Sequence, residues 1–590
     1  DGTDVLALDN SNNATFAGTV AGTSFNGIPF YSGDTGSIYT HDVSATESTA
    51  TYNTAYGLTA MDAITTGDSN IAIGYAALSA EDTGSRNIAI GESALSHLNY
   101  DGYGYNTAIG YNAGGATTTG TVNTLIGGLA GDSLTTGAAN VAIGHMALSG
   151  EDTHSFNVAV GYQTLANQNA GTDAYNVAVG ANAGLSISSG FQNTIIGGLA
   201  GDALTIGVAN VALGYSALGA SVDGDFNTAI GFKALEDYED GDGNGYNTAV
   251  GSQSQSNATT GEFNTSLGSL SMGVGVVTGD KNVAIGHQSL EALTSGAGNT
   301  MMGAFAGHAL TTGADNTAVG FESLFTEDAN GFNTAVGFRA LKTLNAGADA
   351  YNTAVGYNAG LSVTTGVHNT LIGGLAGDAL TTGNSNVAIG HNALSTEDAH
   401  GRNVAIGNDT LKVQDAGADG YNVAIGYQAG LAVTTGVQNT LIGGLAGDAL
   451  TTGQQNTAIG YEALSSEDTG SRNTAIGEGS LTTLNFNGSG YNVAVGYNSG
   501  HVITTGTENT IIGSLAGDAL TTGSFNVAIG YDSLSVEDTG GRNVAIGYGA
   551  LRAQDAGADA YNVAVGMWAG KEITTGVNNT IMGGLAGDAL

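Results

Sequence analysis

A five-residue pattern recurs along nearly the whole chain and limits what the chain can fold into. It consists of Asn, then Val, Thr or Ile, then a small or apolar residue, then Ile, Val, Leu or Met, and finally Gly; residues 386–390 (NVAIG) are one copy. Thirty copies begin between Asn70 and Asn579, most of them at the spacing that separates Asn369 from Asn386, and a degenerate copy begins at Asn53. A fixed short period of this kind indicates a solenoid, in which each coil stacks on the coil before it.

A longer period divides the chain further. From Asn106 onward, three coils of the common length and one slightly longer coil form a four-coil unit, which begins again at Asn176. The coils at residues 247–281 are irregular and break this phase. We therefore predict a β-rich fibre or connector segment at residues 1–52 and a solenoid shaft at residues 53–590.

Each position of the pattern suggests a role, counting the Asn as position 0. Positions 1–3 form a short strand, whose side chains alternate between two faces. We predict that position 3, such as Ile389, faces the core and that the small position 2 faces a neighbouring chain. The Asn is expected to form a stacked ladder and to adopt a left-handed corner conformation, and the Gly is expected to end the strand. The structural residues singled out on this basis are Asn106, Gly110, Asn369, Gly373, Asn386, Ile389 and Gly390.

The charge balance excludes several classes of partner. Lys and Arg number 11 against 52 Asp and Glu, which gives a net charge of −41. Nucleic acids and anionic membranes bind through Lys and Arg, so neither is an expected partner. No apolar run is as long as a membrane-spanning helix requires, so no membrane insertion is expected. The absence of cysteine excludes a disulfide framework.

Two sets of acidic residues are candidate metal ligands. One set recurs in the second coil type and consists of Asp132, Asp202, Asp378, Asp448, Asp518 and Asp588. The other consists of Glu-Asp pairs in the third coil type, for example Glu397 and Asp398. Calcium needs six to eight converging oxygens, and residues four coils apart in one chain cannot supply them, although three chains meeting at an axis could. We therefore expect no cofactor and a solvated acidic face, with calcium between chains as the alternative.

The remaining candidate chemistry is sparse. The ten histidines show no HExxH pattern, and no nucleophile stands in a triad-like context, so neither a zinc site nor an enzyme is expected. Aromatic residues often follow the strand glycine, and the candidate surface aromatics are Tyr357, Tyr427, Tyr461, Tyr497 and Tyr531. They could stack on a host-surface glycan, but packing between successive coils is the favoured interpretation.

The coils at residues 106–122 (NTAIGYNAGGATTTGTV) and 456–472 (NTAIGYEALSSEDTGSR) carry a family resemblance. They resemble the head repeats of YadA-like trimeric adhesins, and more closely a variant with longer coils in bacteriophage tail fibres. The stretch LALDNSNNATFAGTVAGTSFNG is similar to segments that precede such repeats. The resemblance implies an all-β fold, a left-handed parallel β-roll assembled as a homotrimeric fibre. The repeat count sets its size at about 31 coils, each of about 17–20 residues.

The function expected from the pattern and the resemblance is mechanical. The chain is interpreted as the shaft of a phage tail fibre, an extracellular virion protein that extends a receptor-binding tip and contacts the host surface. Its expected partners are two further copies of itself and other virion tail or fibre proteins. The alternative is a trimeric autotransporter-like adhesin on a bacterial surface. An ice- or surface-binding solenoid ranks lower, because the Thr-Thr-Gly turns occur mainly in two of the four coil types.

Overall fold

The computed structural model describes residues 7–8, 14–15, 38–39, 49–239 and 244–589. These residues form an all-β, parallel β-solenoid of about 31 turns and contain no helix. In this part of the chain there is accordingly no helical segment long and apolar enough to span a membrane. The chain divides into two compact units, residues 1–266 and 267–590, with one strand, β16 (Thr265–Leu267), at the division.

The first unit contains fifteen complete strands. They are β1 Ala7–Leu8, β2 Ala14–Thr15, β3 Ile38–Tyr39, β4 Thr54–Tyr56, β5 Ile71–Ile73, β6 Ile88–Ile90, β7 Thr107–Ile109, β8 Thr124–Ile126, β9 Val141–Ile143, β10 Val158–Val160, β11 Val177–Val179, β12 Thr194–Ile196, β13 Val211–Leu213, β14 Thr228–Ile230 and β15 Thr248–Val250. β1 and β2 pair antiparallel. Most of the other residues in the predicted N-terminal segment 1–52 lie outside the described residues.

The second unit continues the same architecture from β17 to β34. These strands are β17 Val283–Ile285, β18 Thr300–Met302, β19 Thr317–Val319, β20 Thr334–Val336, β21 Thr353–Val355, β22 Thr370–Ile372, β23 Val387–Ile389, β24 Val404–Ile406, β25 Val423–Ile425, β26 Thr440–Ile442, β27 Thr457–Ile459, β28 Thr474–Ile476, β29 Val493–Val495, β30 Thr510–Ile512, β31 Val527–Ile529, β32 Val544–Ile546, β33 Val563–Val565 and β34 Thr580–Met582.

Successive strands pair in parallel with equivalent residues opposite one another. β23 pairs with β24 by placing Ala388 against Ala405, which is the equivalent residue of the next coil. β24 pairs with β25 in the same register, Ala405 against Ala424, although the coil between them is the longer one of the four-coil unit. The added residues therefore leave the strand ladder unchanged, because the turns absorb them.

The middle residue of each strand faces the interior, which corrects the sequence-based assignment. Ala388 is fully buried, whereas its neighbours Val387 and Ile389 are half-buried. The prediction that Ile389 fills the core was therefore wrong. Because side chains alternate along a strand, positions 0, 2 and 4 share one face, and the buried Asn386 at position 0 places that face inside.

The narrow interior is filled by residues of complementary size. Leu371, at position 2 of a second-type coil, lies between two glycines at position 8 of successive coils. A Cβ on Gly360 would lie 2.7 Å from Leu371 Cδ1, and a Cβ on Gly377 would lie 2.8 Å from Leu371 Cδ2. Most coils have alanine at position 2. Where a coil has leucine there, the glycines at position 8 leave room for the larger side chain.

The position-0 asparagines form a buried ladder through the backbone. The backbone N–H of Asn386 donates to Oδ1 of Asn369 at 2.9 Å, and Nδ2 of Asn369 donates to the carbonyl oxygen of Gly383 at 2.9 Å. Asn106 receives the equivalent bond from the N–H of Asn123 at 2.9 Å. The left-handed conformation predicted for the asparagine lies instead on the residue before it, as at Ser385 with φ 57°.

The glycine at position 4 is required by both conformation and space. Gly110, Gly373 and Gly390 have φ values of 142°, 137° and 138°, a range that L side chains rarely adopt. A Cβ on Gly390 would lie 2.2 Å from the carbonyl oxygen of Gly407 in the next coil. Each glycine therefore allows two successive coils to approach at the corner.

Candidate functional site

A continuous stripe of uncharged residues lies on the outer face of the strand ladder in each unit. We call it the outer stripe; it consists of the residues at positions 1 and 3 of the strands β4–β34. Position 3 is Ile, Val, Leu or Met after the first coil, and position 1 is Val, Ile or Thr. These side chains are only half-buried, and Ile372 and Leu213 are 37% and 42% exposed. Regularly repeated apolar surface of this kind favours contact with another protein surface.

Two of the predicted surface aromatics stack on an aromatic ring of an adjacent coil. Tyr357, Tyr427, Tyr461, Tyr497 and Tyr531 are each about half exposed. Tyr357 stacks on Phe338 with ring centroids 5.4 Å apart, and Tyr531 stacks on Tyr548 at 5.3 Å. The stacked faces cover each other, so mainly the ring edges meet solvent. Flat stacking on a sugar ring, the predicted glycan interaction, is therefore restricted at these pairs.

The recurring aspartates of the second coil type are half-buried in all but the last coil. Burial raises the pKa of Asp132, Asp202, Asp378, Asp448 and Asp518. Asp588, in the last coil, is exposed. Three clusters of metal-ligating side chains occur in the described residues, and none of them includes any of these aspartates. Calcium held between chains by these residues stays a prediction.

The Glu-Asp pairs of the third coil type do not form the solvated face that was expected. The glutamates are fully buried, namely Glu81, Glu151, Glu327, Glu397, Glu467 and Glu537. They occupy position 11, which is an interior position filled by Leu380 in a second-type coil. The prediction was wrong for the glutamates, because nothing in the acidic pairs themselves indicates that backbone N–H groups inside the coil donate to a carboxylate there.

Glu467 shows how the buried carboxylate is accommodated. Its Oε1 accepts the N–H of Gly470 at 2.6 Å in the same turn, and its Oε2 accepts the N–H of Phe486 at 3.3 Å. Phe486 belongs to the following coil, which has a longer turn. Burial raises the pKa of Glu467, the neighbouring Asp468 adds to that rise, and the two N–H donors oppose it.

The raised pKa values predict that mild acid stabilises the chain. The folded-state pKa of Glu467 lies above its ordinary value of 4.5. The folded state therefore binds the proton more tightly, and stability is lost as pH rises through the folded pKa. We expect the melting temperature to rise as the pH is lowered from neutral toward the ordinary carboxyl pKa of 4.5.

A pair of variants separates this effect from the general relief of negative charge. Glu467→Gln should weaken the pH dependence, and Gln414 at the equivalent place of another coil shows that the fold accepts glutamine. Glu508→Gln removes an exposed carboxylate, with Gln438 at the equivalent place, and should leave the dependence nearly unchanged. Circular dichroism melts at several pH values measure this; equal slopes for the two variants would contradict the prediction.

Two of the Glu-Asp pairs are joined by a histidine that the sequence reasoning missed. Potential ligand atoms of Glu397, Asp398, His400 and Asp415 lie within 4.8 Å of one another, as do those of Glu151, Asp152 and His154. A third cluster combines Glu537, Asp538 and Asp555 without histidine. Motifs within one coil could not reveal the four-residue cluster, because Asp415 belongs to the next coil. Asp415 follows Glu397 by little more than one coil period, and this spacing in the sequence indicates that the two residues lie next to each other in stacked coils.

These clusters and the outer stripe are the features of the described residues that offer binding chemistry. Comparison with models of protein families gives no match, and comparison with curated protein sequences gives no significant match.

Proposed function

We propose that the chain is the structural shaft of a homotrimeric fibre, in which the outer stripes of three identical solenoids pack together. The observation that carries this proposal is the outer stripe itself. It repeats in every coil of each unit, and none of its residues is charged. A solenoid of this kind works by stiffness, because each coil is hydrogen-bonded to the next along the ladder.

The occupant that fits the outer stripe best is a second copy of the same chain. A partner must present apolar contacts at the same spacing over many coils, and an identical solenoid does so. Homo-oligomers with closed cyclic symmetry meet this requirement through one repeated interface. Partly exposed residues such as Ile372 would then be covered along the whole stripe.

The charge distribution supports the same arrangement. A net charge of −41 makes copies of the chain repel one another. Because the acidic residues lie in the turns, the uncharged strands are the surface on which copies meet with least repulsion. Added salt screens the repulsion between the turns, so we expect association to strengthen as ionic strength rises.

Sedimentation equilibrium of the intact chain tests the proposal. We expect a mass three times that of the 58.3-kDa chain. A variant with aspartate at position 3 of three successive strands, Ile372→Asp, Ile389→Asp and Ile406→Asp, should sediment as a single chain. The new charges would be buried in the interface without partners, which is costly.

A matched control places the same charges outside the stripe. The variant Thr365→Asp, Thr382→Asp and Ala399→Asp adds three aspartates in successive coils at exposed turn positions. It carries the same charge repulsion along the chain but should keep the trimer mass. A monomeric parent chain, or a stripe variant that stays trimeric, would contradict the proposal.

We further propose that this shaft belongs to a bacteriophage tail fibre and extends a receptor-binding tip. The resemblance of residues 106–122 and 456–472 to tail-fibre repeats supports this placement. Antibodies raised against the solenoid should label the fibres of phage particles in electron micrographs. Labelling of bacterial surfaces free of phage would instead favour the adhesin alternative.

A further inference from the structure

The buried carboxylate of Glu397 lies in a cluster in which two buried polar atoms have no hydrogen-bond partner. Glu397 is fully buried, and its Oε2 has no hydrogen-bond partner. Nδ1 of His400 is also buried without a hydrogen-bond partner. A buried polar atom without a partner costs free energy, so two such atoms in one cluster indicate a missing ligand.

The geometry of the cluster suits a metal ion. Nδ1 of His400 lies 3.4 Å from Oε1 of Glu397. Two ligands on one tetrahedral zinc ion, with bonds of about 2.1 Å, are separated by about 3.4 Å. Carboxylate oxygens of Asp398 and Asp415 lie within 4.8 Å of these atoms, so small side-chain rotations bring four donors to one point.

The cluster is open to solvent on one side. Asp398 and Asp415 are exposed, His400 is half-buried, and Glu397 closes the inner side. An ion can therefore enter from the surface and reach the buried carboxylate. A bound cation would also offset the repulsion among the three carboxylates. The charge of Asp415 already repels the carboxylate of Glu397.

Other coils of the third type have glycine or asparagine at the position of His400, and they show how the buried glutamate is bonded there. Where glycine takes the place of His400, as in Gly470, its N–H bonds to the buried glutamate at 2.6 Å. Where asparagine takes that place, Nδ2 of Asn330 donates to Glu327 Oε1 at 2.9 Å. The N–H of His400 likewise donates to Glu397 Oε1, at 3.1 Å. The difference lies at the second oxygen: Oε2 of Glu467 accepts the N–H of Phe486 at 3.3 Å, whereas Oε2 of Glu397 has no hydrogen-bond partner.

We propose that Glu397, Asp398, His400 and Asp415 bind a divalent transition-metal ion, with Zn²⁺ as the best-fitting example. An imidazole nitrogen together with carboxylate oxygens suits zinc and its neighbours. Calcium fits less well, because it takes six to eight oxygen ligands. The related cluster at Glu151 is a weaker candidate, since Nδ1 of His154 already contacts Glu151 Oε1 at 2.9 Å.

Calorimetric titration of the tag-free chain with Zn²⁺, in the presence of excess Mg²⁺, tests the proposal. We expect one tight site per chain, and a melting temperature that rises with Zn²⁺. His400→Asn and Asp415→Asn should each weaken that site at least about tenfold, the least that loss of a supporting residue costs at metal sites. Both substitutions reproduce residues of a related coil pair, Asn330 and Asn345, so the fold should accept them.

Two histidine variants serve as controls. His391→Asn removes an exposed histidine of the same coil, and His154→Asn removes the histidine of the weaker cluster. Both should keep the tight site. The proposal is overturned if the chain shows no saturable Zn²⁺ binding, if His400→Asn combined with Asp415→Asn binds as tightly as the parent, or if a control loses the site.

Discussion

Replacing Gly390 by alanine should lower the free energy of unfolding by about 3 kcal/mol or more, the range expected for strain combined with overpacking. The new Cβ would lie 2.2 Å from the carbonyl oxygen and 2.5 Å from the carbonyl carbon of Gly407. Both atoms are backbone, so no side-chain rotation relieves the contact. At φ 138° the alanine would also occupy a conformation that L residues rarely adopt.

The damage should be local, because each coil contacts only its neighbours. Hydrogen-exchange mass spectrometry should show lost protection in β23 and β24 with little change in distant strands, and denaturant unfolding gives the free energy. Gly374→Ala is the matched control, since its Cβ would lie 3.5 Å from His391 Cδ2, an ordinary contact. Surface changes of that kind stay within about 0.5 kcal/mol, so equal effects of the two variants would refute this expectation.

Asn369→Ala should cost about 2–6 kcal/mol, because it leaves two buried backbone groups without partners at about 1–3 kcal/mol each. The N–H of Asn386 loses the Oδ1 acceptor at 2.9 Å, and the carbonyl oxygen of Gly383 loses the Nδ2 donor at 2.9 Å. Neither group can reach solvent, since the asparagine ladder is enclosed by the coil.

An exposed asparagine in the same coil provides the comparison. Oδ1 of Asn384 accepts the N–H of Val367 at 2.8 Å on the surface. Water can replace this bond, so Asn384→Ala should cost less than about 1 kcal/mol. Chemical denaturation of both variants measures the difference. Comparable losses would mean that the buried ladder contributes no more than a surface turn.

The repeat made the fold predictable, because a fixed period determines how coils stack. The pattern placed strands such as 387–389, and the structure confirms a parallel β-solenoid. What it did not determine is which face of a three-residue strand is inside. Alternation allows two assignments, and the larger residue Ile389 favoured the wrong one. The interior accepts Asn386 because its N–H and its Oδ1 bond to asparagines of the two adjacent coils, and its Nδ2 donates to a carbonyl oxygen of its own coil. The bonds to adjacent coils are not evident from any single coil.

The candidate metal cluster escaped prediction for a related reason. Glu397 was interpreted as solvated, since acidic side chains are rarely buried without partners. Its burial depends on N–H donors in its own turn and on the turn of the following coil, which is formed by a different stretch of sequence. His400 lies in the same turn as this carboxylate, but Asp415 becomes its neighbour only when two coils are stacked. A search across coils, rather than along the chain, is needed to find such sites.

The longer coils place their added residues where the strand ladder is not disturbed. Gly417 lies in such a turn, and a Cβ built on it would meet no atom within 4 Å. Ala405 and Ala424 on either side of the turn still pair in register. A peptide inserted at Gly417 would therefore be displayed on the outside without shifting any later coil. Evolution can use the same freedom, lengthening one turn to present a new epitope while the scaffold stays constant.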